Sequence, residues 1–196
     1  MSYTPENRFS EQDRRAMLAL ARSAVMSSLG HQMIRPPAAE PACFFLRHGL
    51  FVTLEVHGKL RGCIGVIEAH SPIRESIVHC ARSAAFRDPR FSPLRIEEVA
   101  GLQIEISVLS GLSAILPEEI EIGRHGLLVA TEDARGLLLP QVAAEHHLSQ
   151  EEFLAEACHK AGLPRDAWRD PQTRIYGFTC EVFAECAAAV SNSSRA

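Results

Sequence analysis

One pattern occurs twice in this 196-residue chain and constrains its fold more than any other feature. His48-Gly49-Leu50-Phe51-Val52 answers to His125-Gly126-Leu127-Leu128-Val129. Each run is followed by a turn, an Arg-Gly pair (Arg61-Gly62, Arg135-Gly136), a second apolar run, helical sequence and a final strand. A β-β-α-β order used twice asks for two hairpins, each covered by a helix, and predicts an internal duplication. Its first repeat covers about 43–110 and its second about 120–184.

Local signals fill in this scheme. Ser10 caps a first helix over about 10–29, with Glu11 and Asp13 in its positive first turn and Gly30 as the stop. β-rich runs flank His57-Gly58-Lys59, a hairpin signal. Ser71-Pro72 opens a helix, with Pro72 in its first position. Leu102, Ile104, Ile106 and Val108 line one face of a strand. In the second half "QVAAEHH" reads as a short helix, and Ser149 with Glu152 forms the capping box of a longer one that ends at Gly162. "RIYGFTCEVF" reads as one last strand. "RPPAAEPA" reads as a linker, because its prolines lack donors, and 187–196 as a disordered tail.

Charge and cysteine usage exclude several classes. A net charge of −4, two tyrosines and one tryptophan give neither the basic field nor the aromatic platform of a nucleic-acid binder. No apolar run approaches a bilayer span, and the N-terminus lacks the apolar core of a signal peptide. Six cysteines without a close pair read as reduced thiols of a soluble cytoplasmic protein. No histidine or cysteine spacing matches a metal site, and neither a P-loop nor a nucleophile elbow is present.

Cys63, in "KLRGCIGVIE", is the leading catalytic candidate. Arg-Gly occurs in both halves, whereas the counterpart of Cys63 is Leu137, so the hairpin is architecture and the cysteine belongs to one copy only. Two readings stand. Beside Arg61, and left bare by Gly62 and Gly65, the sulfur could serve as nucleophile or ligand. Equally, a free cysteine packs well as a small hydrophobe. Arg87, Asp88 and Arg90 lie on a proline-stiffened loop: the guanidiniums could hold a carboxylate or phosphate, or Asp88 could make a structural ion pair. Glu105, alternating against an apolar strand face, is a second candidate base, or a carboxylate on the solvated face of the strand. Gln141, where a strand becomes a helix, could present its amide to a ligand or hold the turn.

The blocks "LRGCIG", "AAFRDPRFSPL", "IEISVLS", "GRHGLLV", "RGLLLPQVA", "EEFLAEACHKAGLP" and "YGFTCEVF" together resemble the AMMECR domain family, also called AmmeMemoRadiSam system protein A. The resemblance runs from about Arg14 to Phe183, although the segment between Leu112 and Ile122 is shorter than is usual in that family. It implies one α+β domain over 1–196, built as two intertwined subdomains of mostly antiparallel sheet flanked by helices. It also implies association with a Memo-like protein and a radical S-adenosylmethionine protein, and it brings no established activity or cofactor. The expected function is a cleft-containing component of a modification system, with Cys63, Arg61, Gly62, Arg87, Asp88, Arg90, Glu105 and Gln141 facing a small molecule or peptide. The alternatives are a thiol-dependent enzyme using Cys63, with His57 or Glu105 as its base, or a non-catalytic scaffold.

Overall fold

The structure is a computed structural model that describes residues 8–30 and 40–185. The expected disordered tail, Cys186 and the linker prolines Pro36 and Pro37 lie outside the described residues. The backbone divides into two units, one holding Phe9–Ser107 and residues 182–185, the other Val108–Glu181 with Arg8.

The first unit opens with α1 (Glu11–Ser28). The Ser10 hydroxyl accepts from the Asp13 N–H while the Asp13 carboxylate accepts from the Ser10 N–H, so two donors left over at the helix start are satisfied together. The hairpin of β1 (Leu50–Val56) and β2 (Lys59–Val66) follows. Its two turn residues, His57 and Gly58, have φ of 52° and 72°, the positive values that a two-residue turn needs to match strand twist. α2 (Ile73–Phe86) packs on both strands, with Pro72 as its N-cap rather than its first residue. β3 (Leu102–Leu109) and β8 (Cys180–Ala184) complete a sheet of order β2-β1-β3-β8. Leu50, Val52 and Leu54 of β1 and Ile73, Ile77, Cys80 and Ala84 of α2 are buried, which accounts for both apolar periodicities.

The register of this hairpin slips once. Val56 pairs with Lys59 and Glu55 with Leu60, but Leu54 pairs with Gly62 and Thr53 with Cys63, so Arg61 is left without a partner across the ladder. Had the turn alone set the register, Cys63 would face Val52 on the core side. The inserted residue moves it opposite half-buried Thr53 instead.

The second unit carries β4 (Ser113–Ala114), β5 (Gly126–Ala130), β6 (Arg135–Leu138), α3 (Pro140–Glu145), α4 (Gln150–Lys160) and β7 (Arg174–Phe178). Its sheet order is β4-β7-β5-β6, and each of these pairings is antiparallel. Phe153, Leu154, Ala157 and Cys158 of α4 pack with Ile120, Leu127 and Val129. Ser149 and Glu152 form the expected capping box, and Gly162 follows the helix with a φ of 75°.

"RIYGFTCEVF" is two strands rather than one. The chain breaks at Thr179, whose N–H donates to the Ser110 hydroxyl at 2.8 Å and whose carbonyl accepts from the Ser110 N–H at 2.8 Å. β7 therefore belongs to the second sheet and β8 to the first. Uniform apolar alternation across the break hides it from a sequence reading.

The partial orders β2-β1-β3 and β6-β5-β7 show that each hairpin receives a third strand beside its first. This correspondence is one of topology and does not establish descent by duplication. It does explain the paired Arg-Gly. A Cβ on Gly62 would lie 2.1 Å from the Ala84 carbonyl oxygen in α2, and one on Gly136 would lie 2.4 Å from the Ala161 nitrogen at the end of α4. In each unit the glycine lets a helix approach the strand backbone to backbone. Gly62→Ala and Gly136→Ala are each expected to lower unfolding free energy by about 1–3 kcal/mol. Gly111→Ala, which adds its methyl group to open space, should stay within about 0.5 kcal/mol, as read by urea denaturation.

Candidate functional site

Cys63 sits on β2, the edge strand of the first sheet, with its side chain half-buried. The next residue back, Gly62, faces α2, so by strand alternation the Cys63 thiol points away from that helix. Across the ladder, the Thr53 hydroxyl donates to the Cys63 sulfur at 3.2 Å. An edge strand presents backbone groups with no strand to pair with. At Cys63 side chains take that place.

The side chains come from the loop after α2. Asp88 precedes Pro89, which disfavours further helix, and the Phe91 N–H closes a turn on the Asp88 carbonyl at 3.1 Å. The turn aims the Asp88 carboxylate inward, where its side chain is 2% exposed. One oxygen, Oδ2, accepts from the Cys63 N–H at 2.9 Å and from Arg90 Nη2 at 2.7 Å. The other, Oδ1, accepts from the Arg90 N–H at 3.1 Å and from Arg90 Nε at 3.0 Å. Arg90 Nη2 also donates to the Cys63 carbonyl at 3.3 Å. Both backbone groups of Cys63 are thus satisfied by one Asp-Arg pair. Arg90 holds the Asp88 carboxyl well below the usual carboxylate range, and the N–H groups of Cys63 and Arg90 add to the effect against the cost of burial.

Arg61 is occupied in a similar way. Its Nε donates to Glu98 Oε1 at 2.6 Å and its Nη2 to Oε2 at 3.2 Å, a bidentate pair. Its Nη1 donates to the Ser92 carbonyl at 2.7 Å. Both arginines lie over the Phe91 ring, whose centre is 6.0 Å from the Arg61 guanidinium carbon and 5.4 Å from that of Arg90. Cys63, Arg61, Asp88 and Arg90 therefore form one cluster, in which Thr53, Phe91 and Glu98 take part without having been singled out in the sequence. Thr53 depends on the register slip, and Glu98 comes from the short 3-10 helix Ile96–Gly101, where it also accepts the Arg95 N–H.

The remaining candidates stand elsewhere. Arg87 is the C-cap of α2, and its side chain lines a hollow along that helix together with Arg74 and Arg82. Glu105 is half-buried on β3, and Gln141 lies in α3 of the other unit. His57 occupies the hairpin turn with its ring against Gly101, four residues or about 13 Å along β1 from Thr53. That position does not supply a base to Cys63.

Three of the other described thiols contrast with Cys63 in burial. Cys43, Cys80 and Cys158 are buried, Cys180 is half-buried, and none of the five described cysteines is in a disulfide. Burial pushes the Cys80 thiol up to about 12, and charge at Cys63 acts in the same direction. Burial and the neighbouring Asp13 push Cys43 up to about 12 as well. Among the described residues no group of three or more His, Cys, Asp or Glu side chains is arranged to hold a metal ion.

Comparison with known proteins gives concordant results. The AMMECR1 family model matches residues 18–183. A protein of Methanothermobacter thermautotrophicus is 42% identical over 193 residues, covering 94% of this chain and 99% of that relative. A protein of Aquifex aeolicus is 40% identical over 88% of this chain and 93% of its own length. The crystal structure of the uncharacterized protein PH0010 from Pyrococcus horikoshii superposes with a TM-score of 0.79 at 41% identity, covering 86% of this chain and 89% of that one. The α+β fold of mixed helix and antiparallel sheet is shared with that neighbour.

The clamp generates a stability prediction. Asp88→Ala leaves the Cys63 N–H and the Arg90 guanidinium without their acceptor, and should cost about 2–4 kcal/mol at pH 7. The upper end is moderated because the Arg90 side chain is 55% exposed. A carboxyl whose folded pKa is depressed stabilises above its unfolded value and loses that contribution as pH falls. Wild type should therefore lose its advantage over Asp88→Ala progressively below about pH 4, as followed by urea denaturation at stepped pH.

Proposed function

We propose that this chain, which belongs to the AMMECR1 family, is the thiol-bearing component of a modification system in which Cys63 engages an electrophilic small molecule or peptide group. The observation that carries this reading is the use of a buried carboxylate and its arginine to fix the backbone of one half-exposed cysteine. A cysteine serving only as packing has no need of such a support. The Thr53 hydroxyl orients the sulfur lone pairs, and the backbone clamp keeps the thiol from turning into the sheet. In the reaction the sulfur lone pair forms the new bond, the leaving group departs with its electron pair, and the thiol proton passes to solvent. The hydrogen bond to the sulfur comes from the neutral Thr53 hydroxyl, so the proton leaves to solvent unless a partner protein supplies a base.

A Memo-like protein and a radical S-adenosylmethionine protein are the proposed partners, on the strength of the family resemblance. Five described cysteines outside any disulfide favour the reducing cytoplasm as the site of action. Among the described residues no helix is long and apolar enough to cross a membrane. The test is reconstitution of the purified chain with both partners from the same genome, followed by peptide mass spectrometry of every cysteine. The expected result is an added mass at Cys63 that requires both partners and is lost in Cys63→Ser, while Cys63→Ser still binds the partners. Added mass at a different residue, or none while the partners are active, would count against the reading. Tight partner binding with no modification at all would favour a scaffold.

A further inference from the structure

α2 packs against the hairpin and against α1 and turns its remaining stripe outward. The outward residues Arg74, Glu75, Val78, His79, Arg82 and Phe86, with Ser28 from the end of α1 and Arg87, wall a hollow of about 630 Å³. That volume lies within the range of about 300–1,000 Å³ typical of small-molecule sites. The hollow does not involve Cys63, and nothing in the proposed thiol chemistry uses it.

Its charges are unevenly matched. Arg74 is paired with Glu40 at 2.8 Å, and Glu75 stands beside it at the start of the helix. Arg82 and Arg87 are exposed at the other end, and among the described residues neither side chain has an anionic partner. By the rise of a helix they lie about 10 and 18 Å along the axis from Glu75, roughly a Debye length or more away. Arginines at a helix C-terminus also complement its dipole. The ends of α1 and α2 each present about half a negative charge there, against two whole guanidinium charges. A local positive excess remains, in a chain whose net charge is −4.

We propose that this hollow binds a small phosphate monoester. Arg82 and Arg87 hold the dianionic head through their planar forks, and Val78 and Phe86 receive the apolar remainder of the molecule. Two guanidiniums with no anionic partner among the described residues match a dianion better than a monoanion, which separates phosphate from carboxylate. The apolar lining separates an organic ester from inorganic phosphate.

Amide NMR titration of the full chain with phenyl phosphate tests this, with benzoate and inorganic phosphate as comparison probes. Saturable shifts in α2 are expected, with phenyl phosphate binding more tightly than either comparison probe. The double variant Arg82→Gln/Arg87→Gln should weaken binding by about tenfold or more. The control double variant Arg165→Gln/Arg169→Gln, which removes the same charge elsewhere, should retain wild-type affinity, as should Cys63→Ser. Unchanged spectra outside α2 would establish that the variants are folded. The proposal fails if phenyl phosphate gives no saturable shift, if benzoate or inorganic phosphate binds as tightly, or if both double variants weaken binding alike.

Discussion

The Asp88 carboxylate is the contact on which the candidate site depends. A buried carboxylate is costly unless its charge is paired and its lone pairs are filled, and here four hydrogen bonds meet that requirement. Two come from Arg90 side-chain nitrogens and two from backbone N–H groups, one of them that of Cys63. The arrangement ties the loop after α2 to the edge of the sheet and closes that edge to further strand pairing. It also makes the position of the Cys63 sulfur a consequence of backbone geometry rather than of side-chain packing alone.

Two local devices bring the cysteine to this clamp. The register slip at Arg61 turns Cys63 from the core side of β2 toward Thr53, and the bare α-carbon of Gly62 lets α2 come close enough to deliver its following loop. Arg61, freed from the ladder, reaches Glu98 and the Ser92 carbonyl. The motif that contains the cysteine and the motif that contains Asp88 are therefore halves of one structural unit. The second hairpin keeps the close approach of its helix at Gly136 but carries Leu137 after it, an ordinary strand residue.

Much of the framework was legible from local chemistry. Ser10 and Ser149 marked their helices, Gly162 marked a stop, and His57-Gly58 marked the tight turn, because caps and turns are fixed by residues adjacent in the chain. The site was legible only in part. Cys63, Asp88, Arg61 and Arg90 were singled out as residue types on suspicious segments. Their mutual contacts depend on a one-residue slip and on a loop 25 residues away, neither of which leaves a periodic trace. The break at Thr179 was missed for the same reason: apolar alternation continues across it while the chain changes sheets. Arg87 was grouped with Arg90 by proximity in sequence, whereas its position as helix C-cap sends its side chain to the hollow along α2.

The Asp88-Arg90 clamp presents Cys63 as an accessible, positioned thiol. Its most direct test is the rate of iodoacetamide alkylation at each cysteine of the native protein, resolved by peptide mass spectrometry, in wild type and in Arg90→Gln. The account predicts that Cys63 reacts in the folded protein while Cys43, Cys80 and Cys158 stay silent until it unfolds, and that Arg90→Gln changes the rate at Cys63 alone. A Cys63 as protected as Cys80, or one whose rate ignores the loss of Arg90, would contradict it.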